Sequence, residues 1–135
     1  MNLLLVGNPN VGKSALFSLL TGVKVIAANY PGTTVTFTRG IMRFPKLTAD
    51  VIDVPGIYSL DPTSKAEEVA VSMIADADVI VNVVDATNLE RNLVLTFDLM
   101  RRFRKPLMLV LNMWDETHHK GVEIDVAELE RILGI

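Results

Sequence analysis

Cysteine is absent from the 135 residues, which excludes disulfides, zinc–thiolate sites and a thiol nucleophile. Aromatic residues are scarce, at 6%, and no apolar run approaches the ~18 residues of a membrane-crossing helix. The start, Met1-Asn2-Leu3-Leu4-Leu5-Val6-Gly7, has neither the basic opening nor the long apolar stretch of a secretion signal. Positive charge is not in excess either: 13 Lys and Arg stand against 16 Asp and Glu, for a net charge of −3. A generic nucleic-acid binder would carry a basic face, so no nucleic-acid partner is expected. What the chain does have is core-forming side chains. Leu, Ile, Val and Phe make up 48 of the 135 residues, well above the roughly 20% of a disordered chain. One soluble domain with a packed core follows. Its mean hydropathy is positive, which is high for a domain of this size.

The apolar residues fall in short runs: Leu3–Val6, Leu47–Val54, Val79–Val84 and Leu107–Leu111. They are nearly continuous rather than alternating, as strands buried on both faces should be. Thr34–Phe44 alternates more and reads as a strand joined to the next through Phe44-Pro45-Lys46. Helix starts are marked by capping boxes at Ser64-Lys65-Ala66-Glu67, Thr87-Asn88-Leu89-Glu90 and Asp125-Val126-Ala127-Glu128. The first precedes Val69, Met73 and Ile74. The second opens a helix expected to bury Leu89, Leu93, Phe97, Met100 and Phe103. The third ends at Gly134, a C-terminal glycine. The expected order is β-α-β-β-α-β-α-β-α, an α/β fold with a mostly parallel, doubly wound sheet and helices on both faces. Ligands of such sheets bind at the carboxyl ends of the strands.

The first strand runs directly into GNPNVGKS, Gly7 to Ser14, and then into the helical Leu16, Phe17, Leu19 and Leu20. This is a phosphate loop in its strand–loop–helix setting. Triphosphate oxygens need backbone N–H groups, which a tight loop poor in side chains can present, and the helix N-terminus adds its positive dipole. Lys13 is expected at the β- and γ-phosphates and the Ser14 hydroxyl on Mg2+. Asp53-Val54-Pro55-Gly56 ends a strand, where a carboxylate can hold Mg2+ through water and the Gly56 N–H can meet a γ-phosphate. Asn112-Met113-Trp114-Asp115 ends another, where a carboxylate can accept from both N1–H and the amino group of guanine. Adenine has no such pair of donors, so Asp115 would select GTP over ATP. Between them, Asn29-Tyr30-Pro31-Gly32-Thr33-Thr34 has the makeup of a segment that orders and releases, with one threonine completing the Mg2+ shell. Candidate nucleotide contacts are therefore Gly7, Asn8, Pro9, Asn10, Val11, Gly12, Lys13, Ser14 and Ala15. To these are added Gly32, Thr33, Thr34, Asp53, Val54, Pro55, Gly56, Asn112, Met113 and Asp115.

With these motifs the chain resembles a small GTPase domain of the P-loop NTPase class, Ras-like in fold. More closely it resembles the N-terminal G domain of the bacterial ferrous-iron transport protein B family. GNPNVGKS, NYPGTTV, DVPGIYSL, VNVVDATNLERNL and NMWDE carry the likeness, which spans Asn2 to Gly134. Met113 replaces the lysine of the common NKxD, which keeps an apolar contact for the base and loses a link to the phosphate loop. The resemblance implies that the switch threonine is Thr34, beside Thr33, and that Asp53 and Gly56 hold the Mg2+ and γ-phosphate positions. Ile57 stands where Ras-like enzymes place the glutamine that orients the attacking water. It also implies a K+ ion bound through Asn10 in place of an arginine finger. The expected activity is slow, K+-stimulated hydrolysis of GTP to GDP, with Asn10, Lys13, Thr34 and Gly56 in the catalytic roles. The parent would be an iron transporter, its transmembrane iron-permeation region elsewhere and this domain on the cytoplasmic side of the bacterial inner membrane. Two other readings stay open: a soluble GTPase of ribosome assembly or tRNA modification, and a nucleotide-binding module without turnover.

The remaining clusters carry less. His118-His119 sits in a polar stretch read as a solvated loop, and Arg101, Arg102, Arg104 and Lys105 read as a helix end favoured by its dipole. The family continues into a further strand and helix, so residues 1–135 are expected to be a G domain incomplete at its C-terminus. Leu107–Leu111 would then be a bare apolar edge open to self-association.

Overall fold

Each segment expected to be extended forms a strand in the computed structural model, which describes residues 1–22 and 25–135. In chain order the elements are β1 (Asn2–Val6), α1 (Lys13–Thr21), β2 (Val25–Asn29), β3 (Thr36–Phe44), β4 (Leu47–Asp53) and α2 (Lys65–Asp76). Then come β5 (Val79–Asp85), a 3-10 turn at Ala86–Asn88, α3 (Leu89–Arg102), β6 (Leu107–Asn112), α4 (Trp114–His119) and α5 (Val126–Leu133). The six strands form one sheet in the order β2-β3-β4-β1-β5-β6. Pairings β1–β4, β1–β5 and β5–β6 are parallel, while β2–β3 and β3–β4 are antiparallel.

Alternate residues of β1 serve two cores. Leu4 and Val6 join Ile80, Val69, Ile74, Leu95 and Leu99 beneath α2 and α3. Leu5 joins Phe17, Met42, Val51 and Val83 beneath α1. Helices on both faces explain the positive hydropathy, because the central strands meet water on neither side.

Four expectations need correction. The strand β2 was not anticipated: Val-Ile-Ala-Ala-Asn is too short and too uniform for a period, and pairing with β3 makes it extended. Trp114–His119 is a short helix, not a solvated loop, started by Met113 in the left-handed conformation (φ 56). The buried stripe of α3 is Asn92, Leu95, Thr96 and Leu99, while Phe97 is 51% exposed. Two polar residues belong to that stripe, so counting apolar positions rotated the expected face. The capping box proposed for α3 is also not formed. Its N-cap Asn88 makes no side-chain bond, and Thr87 donates instead to Asp85 within the 3-10 turn.

The other two caps are present. Ser64 accepts from the Glu67 N–H and Asp125 from the Glu128 N–H, and α5 closes on Gly134 at φ 72. In-register pairing brings Leu5 beside Asp53, Val6 beside Asn82 and Asp85 beside Asn112. The carboxyl ends of the parallel strands therefore come together at one end of the sheet.

Candidate functional site

At that end the phosphate loop is tied on three sides. The Ile57 N–H donates to the Gly7 carbonyl at 3.0 Å, joining the Asp53–Gly56 turn to the start of the loop. Gly56 lies against Pro9 so closely that a β-carbon would sit 2.8 Å from the Pro9 backbone. Asn112, the last residue of β6, donates its Nδ2–H to the Val11 carbonyl at 2.8 Å. Its amide also fills the space a side chain at Gly12 would need, and Gly12 has φ 91, a conformation glycine adopts without strain. Asn10 occupies the left-handed region too (φ 64), which asparagine tolerates better than most residues.

Lys13 and Ser14 open α1. The Ser14 hydroxyl donates to Asp53 Oδ2 at 2.8 Å, while Asp53 Oδ1 is buried and without a hydrogen-bond partner. Burial pushes the Asp53 carboxyl above its ordinary range, partly offset by the Ser14 hydrogen bond and the charge of Lys13. Burial likewise lowers the Lys13 ammonium, and Asp53 opposes that. A buried ammonium and a half-buried carboxylate thus act on each other at the end of the loop. Asn8 is 94% buried, as 6% exposure indicates, and its Oδ1 also lacks a partner.

Phosphate loop, Asp53, Gly56 and Asn112 are therefore brought together. Thr33 and Thr34 are not part of that cluster. Thr33 bonds locally, donating to the Tyr30 carbonyl and accepting from the Val35 N–H, whereas Thr34 is exposed between β2 and β3. Asp115 is exposed in the first turn of α4, following Met113. Ile57 has no exposed surface and packs into the core, so its side chain cannot meet a water at the phosphates.

Other contacts were not foreseen. Arg91 stacks over the Tyr58 ring at 5.4 Å, and Arg102 donates to Asp61 at 2.8 Å and to the Leu60 carbonyl at 3.3 Å. Both hold the segment after Gly56 against α3. The basic cluster is thus partly consumed internally, and Lys105 caps the end of α2 through the Ala75 and Ala77 carbonyls. Asn82 and Thr96 bond to each other in the core, and a lone asparagine inside Val79–Val84 was the available signal. A groove of about 970 Å³ lies between the end of α1 and β2–β3, lined by Leu20, Ile26, Phe37 and Ile41. It borders no phosphate-loop residue. No group of three or more His, Asp or Glu placed to hold a metal occurs among the described residues.

The family model described as ferrous iron transport protein B matches residues 1–135. The chain belongs to that family. The Fe(2+) transporter FeoB of Legionella pneumophila (strain Lens) is 40% identical over 137 residues, covering 97% of this chain and 18% of the transporter. That of Campylobacter jejuni is 42% identical over 129 residues, covering 94% of this chain and 21% of its own length. The chain thus spans about a fifth of the length of these relatives. The cytosolic domain of L. pneumophila FeoB superposes with a TM-score of 0.92 at 38% identity, over 99% of this chain and 59% of that one. A GDP-bound A143S mutant of the S. thermophilus FeoB G-domain gives 0.91 at 43% identity, over 100% and 52%. The fold is that of the FeoB G domain, a P-loop NTPase. Among the described residues no helix is long and apolar enough to cross a membrane.

Proposed function

We propose that the chain binds GTP with Mg2+ and hydrolyses it slowly to GDP and phosphate, as the regulatory domain of a ferrous-iron transporter. The observation that carries this is the Ser14–Asp53 pair beside the buried Lys13. Asp53 accepts the Ser14 hydroxyl hydrogen bond, which leaves the hydroxyl lone pairs turned away from the carboxylate, and Asp53 Oδ1 has no protein partner. An all-oxygen set of this kind suits a hard cation. Ser14, Thr34 and Asp53, the last through water, would hold Mg2+, which when bound neutralises charge on the β- and γ-phosphates. Lys13 and the loop N–H groups would bind those phosphates, the Gly56 N–H would meet the γ-phosphate, and Asp115 with Met113 would bind guanine. Thr34 must travel to the site for this, in keeping with its exposed turn.

Asn10 would hold K+, which fits the slow, K+-stimulated reaction. The buried Ile57 side chain supports a mechanism without a water-orienting glutamine, and it is also the observation that favours the rival reading of a module that binds without turnover. The parent would lie in the bacterial inner membrane with this domain on its cytoplasmic side, acting on a transmembrane iron-permeation region. The outer edge of β6 is the end of the sheet and bears Met108 at 59% exposure, which supports self-association there.

Titration with GDP and a non-hydrolysable GTP analogue, beside phosphate release in K+ and in Na+, tests the reading. Binding with K+-dependent release supports it, and binding without release assigns the chain to the rival. Asp115→Asn exchanges an acceptor for a donor and should weaken GTP binding while favouring xanthine nucleotides.

A further inference from the structure

Asn82 is set among Val79, Ile80, Val81, Val83 and Val84 of β5 and has no exposed surface. An amide in such a place is costly unless its polar atoms are bonded. Both ends are. Nδ2 donates to the Val6 carbonyl at 3.2 Å, and Oδ1 accepts from the Thr96 hydroxyl at 2.6 Å. Thr96 lies on α3 and is equally buried. The Val6 carbonyl can only accept, which fixes the amide with its NH2 end towards β1, and the Thr96 hydroxyl then donates to the Oδ1 left at the other end.

The acceptor matters most. Val6 is the last residue of β1, paired in register with Asn82, and its carbonyl belongs to the peptide that leads into Gly7. Ladder pairing between β1 and β5 stops there, so a side chain takes over where the backbone register ends. Filling the core does not call for this pair, because apolar residues of the same shape can replace both partners of a buried hydrogen bond at little cost.

We propose that Asn82 and Thr96 are positioning residues for the phosphate loop. Thr96 orients the Asn82 amide, and the amide holds the Val6–Gly7 peptide at the angle from which the loop N–H groups converge on phosphate. Neither residue touches nucleotide. The proposal rests on Gly7–Ser14 being the site of a guanine nucleotide's phosphates. A tilt at the Val6–Gly7 peptide displaces every loop N–H downstream, so diphosphate and triphosphate affinities should fall together. Base selectivity, which lies with Met113 and Asp115, should stay.

Thr96→Val nearly conserves volume and removes the donor to Oδ1. Kd values for GDP, ADP and a non-hydrolysable GTP analogue, with KM and kcat for GTP and Tm, are compared among wild type, Thr96→Val, Thr96→Ser and Asn82→Leu. We expect Thr96→Val to weaken both guanine nucleotides about tenfold. KM should rise with kcat changed less than about twofold, the sign of lost uniform binding. Thr96→Ser should recover wild-type affinity, and Asn82→Leu should bind weakly even if its Tm is unchanged or higher. Wild-type affinity in Thr96→Val or in Asn82→Leu, whatever the Tm, would overturn the proposal and leave the pair a packing feature. A wild-type chain that binds no guanine nucleotide removes the nucleotide site itself, and this proposal with it, before any variant is compared.

Discussion

The Ser14 hydroxyl donates a hydrogen bond to Asp53 Oδ2 across the junction of α1 and β4, at 2.8 Å. The direction of that bond matters. With its hydrogen directed at the carboxylate, the Ser14 oxygen is left as an acceptor, and Asp53 would act on the proposed Mg2+ through Ser14 as well as through its own unpartnered oxygen.

Asp53→Asn should therefore damage the Mg2+-dependent part of binding. We expect GTP-analogue affinity in excess Mg2+ to fall about tenfold, with affinity in chelator changed less than about twofold. Titrations in the two buffers decide it, and an unchanged Mg2+ dependence would count against the assigned role.

Ile57→Gln restores the residue that many GTPases use to orient water, yet no gain in rate is expected. The side chain points into the core with no exposed surface, beside Val54, Leu60 and Val69. Burying an amide there without partners should cost about 2–4 kcal/mol. Chemical denaturation measures the cost, and a phosphate-release assay would show faster turnover if the side chain could reach the phosphates after all.

The site was legible in the sequence to the extent that its chemistry is local. GNPNVGKS is contiguous, Asp53 and Asn112 each end a strand that has a parallel partner, and Gly56 lies in the turn just after Asp53. The central strands β1 and β5 were legible because burial on both faces removes most polar residues from them. Contacts fixed by tertiary packing were not. Nothing in Val25–Asn29 announces an edge strand, and Thr96 shows itself as a core residue only once Asn82 is beside it. Arg91 and Arg102 look like ordinary surface cations until Tyr58 and Asp61 fold onto α3.

Arg102→Ala tests that last contact. Its ion pair with Asp61 is exposed, so global stability should change by less than about 1 kcal/mol. Amide exchange in residues 57–64 should nevertheless quicken, since the Leu60 carbonyl also loses its donor. Exchange rates equal to those of the wild type would mean the segment is held without α3.

Acid should loosen the start of α2. Glu67 accepts from both the N–H and the hydroxyl of Thr63, at 2.6 and 2.8 Å, and these bonds hold its carboxyl below the ordinary value. A carboxylate lowered by folding stabilises the fold fully above its unfolded pKa, and that contribution is lost as pH falls through the lower, folded one. Amide exchange at Thr63–Glu68 should therefore accelerate below about pH 4, and Glu67→Gln should abolish the pH dependence. An NMR titration placing Glu67 at or above about 4.3 would refute this.

The phosphate loop is the most compact motif in the chain, yet its supports are remote. The Val6 carbonyl is held from 76 residues away and that of Val11 from 101, while Gly7 waits for Ile57. We expect such a loop to take its shape only after β4, β5 and β6 have joined the sheet, because its supporting bonds need those strands in place. Nucleotide would then meet a finished surface rather than help to build one, and its effect falls on the rate of escape from the native state. Added GDP should slow unfolding and leave refolding untouched. Nucleotide supply would set how long a folded molecule lasts, and not how quickly one is made.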